Sequence, residues 1–157
     1  MKRLFAIILT LALALTLSIT VLAAGTGKIT ISNATVGQTY NLYKIFDASY
    51  AQDSLGNPKL DSEGNPIVAY TIQPGSKFYV LMFGTDGKAE NHYFNHDPDT
   101  HAVTKKGADI DIITYLDGLV ATVAPDQSIP ATSSTVEFTG LDTGYYVVDR
   151  GTTSTVT

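Results

Sequence analysis

Lys44 is out of place for its setting. It lies in "TYNLYKIFD", residues 39–47, where aromatic and β-branched residues signal a strand. With regular alternation, Tyr40, Leu42, Lys44 and Phe46 share one face, and Asn41, Tyr43, Ile45 and Asp47 the other. A lysine inside an apolar row is costly unless its amine is paired, neutral or chemically changed. The bland alternative is an edge-strand lysine whose stem covers apolar surface while the amine reaches water.

Two other clusters have residue types that could hold a metal. His92, His96 and His101 bracket Asp97 and Asp99, and imidazole with carboxylate suits zinc or copper. The spacing matches no common site and Pro98 interrupts it, so the segment reads as a solvated loop without metal. "DSLGNP" at 53–58 is echoed by "DSEGNP" at 61–66. Asp61, Glu63 and Asn65 are alternating oxygen ligands, but Gly64 is misplaced for an EF-hand and no Glu closes the loop. Two Gly-Asn-Pro turns of a hairpin excursion fit better. With no cysteine and no serine in a nucleophile-elbow context, the chain does not read as an enzyme, and no cofactor is implied.

The elements that must position these residues follow from period and punctuation. Ile29 and Ile31 alternate with Thr30 and Ser32 in a first strand. "NATVGQ" turns, with Gly37 at the flexible position, into the strand 39–46. "IVAYTI" is a further strand, and "KFYVLMF" is a short apolar run whose period does not separate strand from helix. Residues 84–106 read as loop with a brief hairpin. "GADIDIITYLDGLVATVAPD" is the clearest helix, with Ile112, Ile113, Leu116, Leu119, Val120 and Val123 at spacings of three and four. Asp109 suits its start and Pro125 its end. Val136 and Phe138 then alternate with Thr135, Glu137 and Thr139, "GLDTG" turns, and Tyr145 to Val148 form a dense strand. One strong helical period among alternating segments predicts a mainly β fold with one helix near 108–123, packed by Ile112, Ile113, Leu116 and Val120.

The chain opens "MKRLFAIILTLALALTLSITVLAAGTG". Lys2 and Arg3 form a positive n-region, an uncharged apolar stretch follows, and small residues at Ala23 and Ala24 mark the cleavage site of a secretory signal peptide, residues 1–24. The run approaches spanning length, so an uncleaved anchor is the competing reading. After cleavage no membrane segment is expected. Loss of the leader takes Lys+Arg from 10 to 8 against 15 Asp+Glu, moving net charge from −5 to −7. An acidic surface argues against nucleic acid and anionic membranes. A secreted domain without cysteine lacks disulfide staples. Its core, or some other tie, must suffice.

"GKITISNATVGQTYNLYKIFDAS" and "VEFTGLDTGYYVVD" together resemble the sortase-assembled fimbrial proteins of Gram-positive bacteria, in particular the N-terminal domain of isopeptide-forming backbone pilins. The resemblance runs from about Gly25 to Arg150 and is weak between Ala51 and Lys106. It implies an immunoglobulin-like, pilin-type β-sandwich over residues 25–157 and a cell-wall-attached, extracellular protein. It also implies a bond between an early-strand lysine and a late asparagine, assisted by a buried carboxylate.

Lys44 matches the lysine. Asp149, sharing a face with Tyr145 and Val147, is the better carboxylate, and Glu137, on the threonine face, the weaker. Burial would lower the amine's pKa and make it nucleophilic. The asparagine partner, the pilin-motif lysine and the sorting signal would lie beyond Thr157, so the domain reads as truncated at its C-terminus.

The leading expectation is thus a structural subunit of a fimbria, partnered through sortase by other pilin subunits. The alternative is a surface adhesin holding a host ligand in its 51–67 or 84–106 loops. A secreted enzyme has the least support.

Overall fold

The computed structural model describes residues 25–106 and 108–151. The signal-peptide reading, with its cleavage at Ala23 or Ala24, lies outside them.

Among the described residues, eight strands and two helices follow one another in the order β1 Gly27–Ile31, β2 Thr39–Tyr50, β3 Val68–Thr71, α1 Tyr79–Phe83, β4 Phe94–His96, β5 Ala102–Lys105, α2 Asp109–Val120, β6 Gln127–Pro130, β7 Val136–Leu141 and β8 Gly144–Gly151. All strand pairings are antiparallel. β1 and β7 form a small sheet, and the other six strands form a large one around β2. The chain is mainly β with two antiparallel sheets. Among the described residues, no helix is long and apolar enough to cross a membrane.

The long strand β2 organises the molecule. On one edge it pairs with β8, from Thr39↔Gly151 to Asp47↔Gly144. On the other it pairs with β6 through residues 39–42 and with β3 through residues 47–50. Its two faces feed two separate cores. Tyr40 and Leu42 pack with Val136, Phe138 and Leu141 of β7, beneath the small sheet. Tyr43, Ile45 and Phe46 pack with Phe78, Tyr79, Met82 and Phe83 around α1 and with Ile112, Leu116 and Val120 of α2. The large sheet is therefore the middle of three layers, apolar on both faces.

One irregularity in β2 sets the site. The β2–β8 register shifts between Lys44 and Phe46, leaving Ile45 as an extra residue. Such a bulge turns the rest of the strand over. Ile45 and Phe46, consecutive in sequence, are both buried in the helix-side core. Phe46 is therefore not on the face of Tyr40, Leu42 and Lys44 that strict alternation assigns it.

The corners that join the sheets lie where the turn residues predict. "NATVGQ" carries the chain from β1 to β2 and "GLDTG" from β7 to β8, with Gly37 and Gly140 at φ 85° and 71°. Glycine populates that region without the Cβ clash other residues meet.

The described residues hold two helices, not one. "YVLMF" folds as α1, with Tyr79, Met82 and Phe83 buried and Val80 and Leu81 about half-exposed. Gly84, at φ 73°, terminates it with its N–H on the Val80 carbonyl. α2 buries Ile112, Leu116 and Val120 as its period predicts, but Ile113 is 52% exposed. The stripe on α2 is narrower than the sequence spacing implied, because the helix lies along the sheet with one row of contacts.

Candidate functional site

The bulge at Ile45 gives Lys44 its neighbours. Lys44 and Asp47 are three residues apart and would point to opposite faces of a regular strand. The extra residue brings them to one face, where Lys44 Nζ lies 2.7 Å from Asp47 Oδ1. Asp142, in the β7–β8 corner, is 3.9 Å from the same amine. Across the ladder Lys44 faces Tyr146 and Asp47 faces Gly144. The lysine stem runs over Gly144. A Cβ there would come within 2.8 Å of Lys44 Cε and 2.7 Å of the Phe46 carbonyl oxygen. Tyr146 donates its hydroxyl to the Asp142 carbonyl at 2.8 Å and so fixes the corner that carries Asp142.

Burial pulls the Lys44 amine down, but the hydrogen bond and charge of Asp47, reinforced by Tyr146 and Asp142, outweigh it and hold the group above the ordinary lysine value. Burial likewise pushes the Tyr146 phenol up, opposed by Lys44. The amine is thus a paired cation, a quarter exposed. The lowered pKa expected from an apolar setting does not occur, because the setting contains two carboxylates.

Asp149 is not beside it. Asp149 stands across from Asn41, three residues along β8 from the partner of Lys44. Its side chain leaves the sheet on the other face, where its charge helps raise the Tyr43 phenol, after burial. β8 alternates as the sequence predicts and β2 does so up to its bulge, but the matching of rows is not as expected. Both faces of the sheet are apolar, so pattern alone could not tell which row of β8 shares a core with Lys44. Glu137 is exposed on β7, as its threonine-face position implied, and pairs with Lys28 at 2.9 Å. Residues 152–157 lie outside the described residues.

Sequence reasoning missed Asp47 and Asp142 as partners of Lys44, and it missed Asp126 as well. Between β6 and β3 the outer edge of β2 has no strand partner among the described residues over positions 43–46. Asp126 fills part of that gap. Its N–H donates to the Leu42 carbonyl at 2.8 Å, its Oδ2 accepts the Lys44 N–H at 2.7 Å, and its Oδ1 pairs with Lys77 at 2.7 Å. The rest of the gap is a cleft of about 420 Å3 lined by Lys44, Asp47, Ile72, Gln73, Lys77 and Asp126 among others.

The histidine loop forms the β4–β5 hairpin. His92 is exposed. His96 places Nδ1 2.8 Å from the Gly87 carbonyl and stacks on Phe83 at 4.5 Å. His101, at φ 59°, lies 6.0 Å from His96 ring to ring. Asp97 accepts the N–H groups of Asp99 and Thr100 and so closes the turn. Those backbone bonds hold its carboxyl below the usual range.

The two Gly-Asn-Pro segments are twin turns. Asp53 Oδ1 accepts the N–H of Leu55 at 2.8 Å and of Asn57 at 2.9 Å, and Asp61 Oδ1 accepts those of Glu63 and Asn65 at the same distances. Gly56 and Gly64 both stand at φ 85°. The Asp61 carboxylate that could have ligated calcium is thus spent on its own backbone. Among the described residues, no group of three or more His, Asp or Glu side chains could hold a metal ion. Comparison of the chain with protein-family models, with curated proteins and with solved structures returned no match.

Proposed function

We propose that the chain is the N-terminal domain of a structural subunit of a bacterial cell-surface fimbria, built on an immunoglobulin-like, pilin-type scaffold. The observation that carries this reading is the pairing of β2 with β8. The two pilin-like segments lie about a hundred residues apart in sequence, yet Thr39↔Gly151 to Asp47↔Gly144 make them adjacent central strands. The lysine of one segment rests on the glycine of the other. A cysteine-free, acidic chain behind a secretory leader is compatible with the same reading.

Sortase-linked subunits resist boiling detergent. Antibody raised against residues 25–151 should detect a ladder of covalent multimers in cell-wall extracts of the producing cell. A single monomer-sized band, released without wall digestion, would overturn the fimbrial reading.

Cross-link chemistry enters through Lys44. The amine would have to lose its proton and attack an asparagine side-chain amide, expelling ammonia and leaving a neutral amide. Asp47 and Asp142 now hold it charged. An asparagine supplied from beyond Thr157, with a proton-accepting carboxylate, would have to displace them. In a longer gene product, intact mass should then fall by one ammonia, and Lys44→Ala should restore it. An unchanged mass in that product removes the cross-link from the reading without touching the fimbrial part.

The adhesin reading is favoured by one feature. A cleft of about 400 Å3 opens in the 84–106 region, lined by Lys88, Glu90, Asn91, His96 and Lys106 among others. Polar groups on a packed scaffold suit a small hydroxylated ligand. Glycan-array binding that is lost in Lys88→Ala or Glu90→Ala would favour adhesion over a shaft role.

A further inference from the structure

His96 and His101 present two buried ring nitrogens that nothing satisfies. Among the described residues, neither His96 Nε2 nor His101 Nδ1 has a hydrogen-bond partner. Buried polar atoms are nearly always paired, so such an orphan points to a water or an ion. The two orphans belong to neighbouring rings, 6.0 Å apart centre to centre and 17° from parallel.

The fold makes this pair from residues whose spacing signals nothing in the sequence. His96 ends β4 and pairs with Val103 of β5. Between the strands the chain turns through Asp97, Pro98, Asp99 and Thr100, with Asp and Pro at the two leading positions that a tight turn favours. The Asp97 N–H donates to the Ala102 carbonyl and closes it. His101 takes φ 59°, and its carbonyl accepts the Ile72 N–H at 3.0 Å. Pro98, which breaks up the cluster in the sequence, is therefore part of the turn that brings the two rings together.

The tautomer of His96 is set as well. Its Nδ1 lies 2.8 Å from the Gly87 carbonyl, which can only accept, so Nδ1 carries the proton and Nε2 a lone pair. A backbone carbonyl on the other ring nitrogen is a common outer partner of a metal-binding imidazole. Gly87 stands at φ 72°, and a Cβ there would come within 3.1 Å of His96 Cε1. The walls are aromatic. Phe83 stacks on His96 at 4.5 Å, and Tyr79 stands nearly perpendicular to His96 at 5.4 Å and to His101 at 6.3 Å.

We propose that His96 Nε2 and His101 Nδ1 together bind a soft monovalent metal ion of the copper(I) or silver(I) type. Zinc takes about four ligands and calcium takes oxygen, and two imidazoles among aromatic rings supply neither. A filled-shell monovalent ion is content with two nitrogens on opposite sides. With metal–nitrogen bonds of about 2 Å, the two ring centres then stand about 6 Å apart. That is the spacing of His96 and His101. Phe83 and Tyr79 limit the approach of water as a further ligand. Asp97, next in the chain, supplies a balancing negative charge, kept ionised by the N–H groups of its turn. His96 also lines the cleft of about 400 Å3 in the 84–106 region, which gives the ion a path of entry. The site does not depend on the fimbrial reading, so either can fail alone.

Dialysis of the purified secreted protein against silver nitrate in chloride-free buffer, then against metal-free buffer, tests this. Elemental analysis should find one silver ion per molecule, and zinc given the same treatment should not be retained. The 15N shifts of His96 Nε2 and His101 Nδ1 should move on silver binding while those of His92, which is exposed, stay in place. That measurement needs no variant. His101→Asn suits the positive φ, and His96→Phe keeps a ring on Phe83. Each should weaken silver binding by more than about a hundredfold, beyond the cost of altering an outer partner. His92→Ala should leave it unchanged. A protein that retains no silver overturns the proposal and leaves water as the partner of both nitrogens. So does silver held without movement of the two ring nitrogens, or held equally well by both ligand variants. Stoichiometric zinc would overturn the two-ligand site in favour of a larger one.

Discussion

Lys44 and Asp47 meet at 2.7 Å although they are three residues apart in one strand. Only the bulge at Ile45 makes that contact possible, because regular alternation would put the two side chains on opposite faces. The pair is partly exposed, at 25% and 53%, so its own contribution to stability is modest, on the order of 0.2–1 kcal/mol. What it does control is protonation.

Asp47→Asn should therefore lower the Lys44 pKa, and a side-chain amine titration by NMR would read it. The sign for stability follows. The folded pKa is raised above the unfolded value, so the contribution is complete below about pH 10.4 and fades as pH rises through the folded pKa. The wild-type protein should lose slightly more stability at alkaline pH than Asp47→Asn does. Equal alkaline slopes in the two proteins would contradict the assignment.

Gly144 is required for a different reason from the turn glycines. It lies in β8 without positive φ, and its missing side chain makes room for the Lys44 stem. A Cβ would come within 2.7 Å of the Phe46 carbonyl oxygen, which is backbone and cannot swing aside. Gly144→Ala should destabilise the fold by about 1–3 kcal/mol, visible as a lower denaturant midpoint. Truncating the lysine as well should recover only part of that loss, since the carbonyl contact remains. Full recovery in the Lys44→Ala, Gly144→Ala double variant would show that the lysine alone sets the constraint.

The twin turns should respond to acid together. Backbone N–H groups hold the Asp53 and Asp61 carboxyls below the usual range. Their stabilisation is present above the unfolded pKa, about 3.9, and is lost as pH falls through the folded values. Amide exchange at Leu55, Asn57, Glu63 and Asn65 should accelerate in that acid window while the β2–β8 ladder stays protected. Asp53→Ala should accelerate only the first pair, and Asp61→Ala only the second. Coupled loss at both turns would mean that the excursion opens as one unit.

Much of this arrangement is readable before folding, and the failures share a cause. The row Val136, Phe138 against Glu137 gives β7 correctly, because one face meets a core and the other meets water. Gly37 and Gly140 mark real corners, because positive φ has a residue preference. Asp149 and the face of Phe46 were misplaced because β2 and β8 are apolar on both sides. An extra residue at Ile45 then leaves no mark in a hydrophobic pattern. The five-residue α1 is too short for its period to be counted, and Ile113 follows the helical repeat but stays half exposed. Asp126 had no signal at all. It acts by occupying a gap between two strands that only the assembled sheet creates.

Asn91 is the last such case, and it supports the sharpest stability prediction. It is 8% exposed in the loop before β4. Its Nδ2 donates to the Met82 carbonyl at 3.2 Å and to the Tyr115 hydroxyl at 2.8 Å. Its Oδ1 accepts the N–H groups of Tyr93 at 2.9 Å and Phe94 at 3.0 Å. One side chain thus ties the end of α1, the middle of α2 and the start of β4, where Phe94 enters the helix-side core. Asn91→Ala would leave those donors and acceptors unpaired in a buried setting, at a cost of about 1–3 kcal/mol for each group that water cannot reach. Asn91→Asp keeps the two backbone contacts but loses the amide donors and sets a charge among apolar groups, so it should also destabilise, and more so as pH rises above the carboxyl's pKa. Denaturant unfolding of both variants between pH 4 and 8 would check this. A pH-independent stability for Asn91→Asp, equal to wild type, would show that the loop opens to water and that Asn91 does not hold the helices to the sheet.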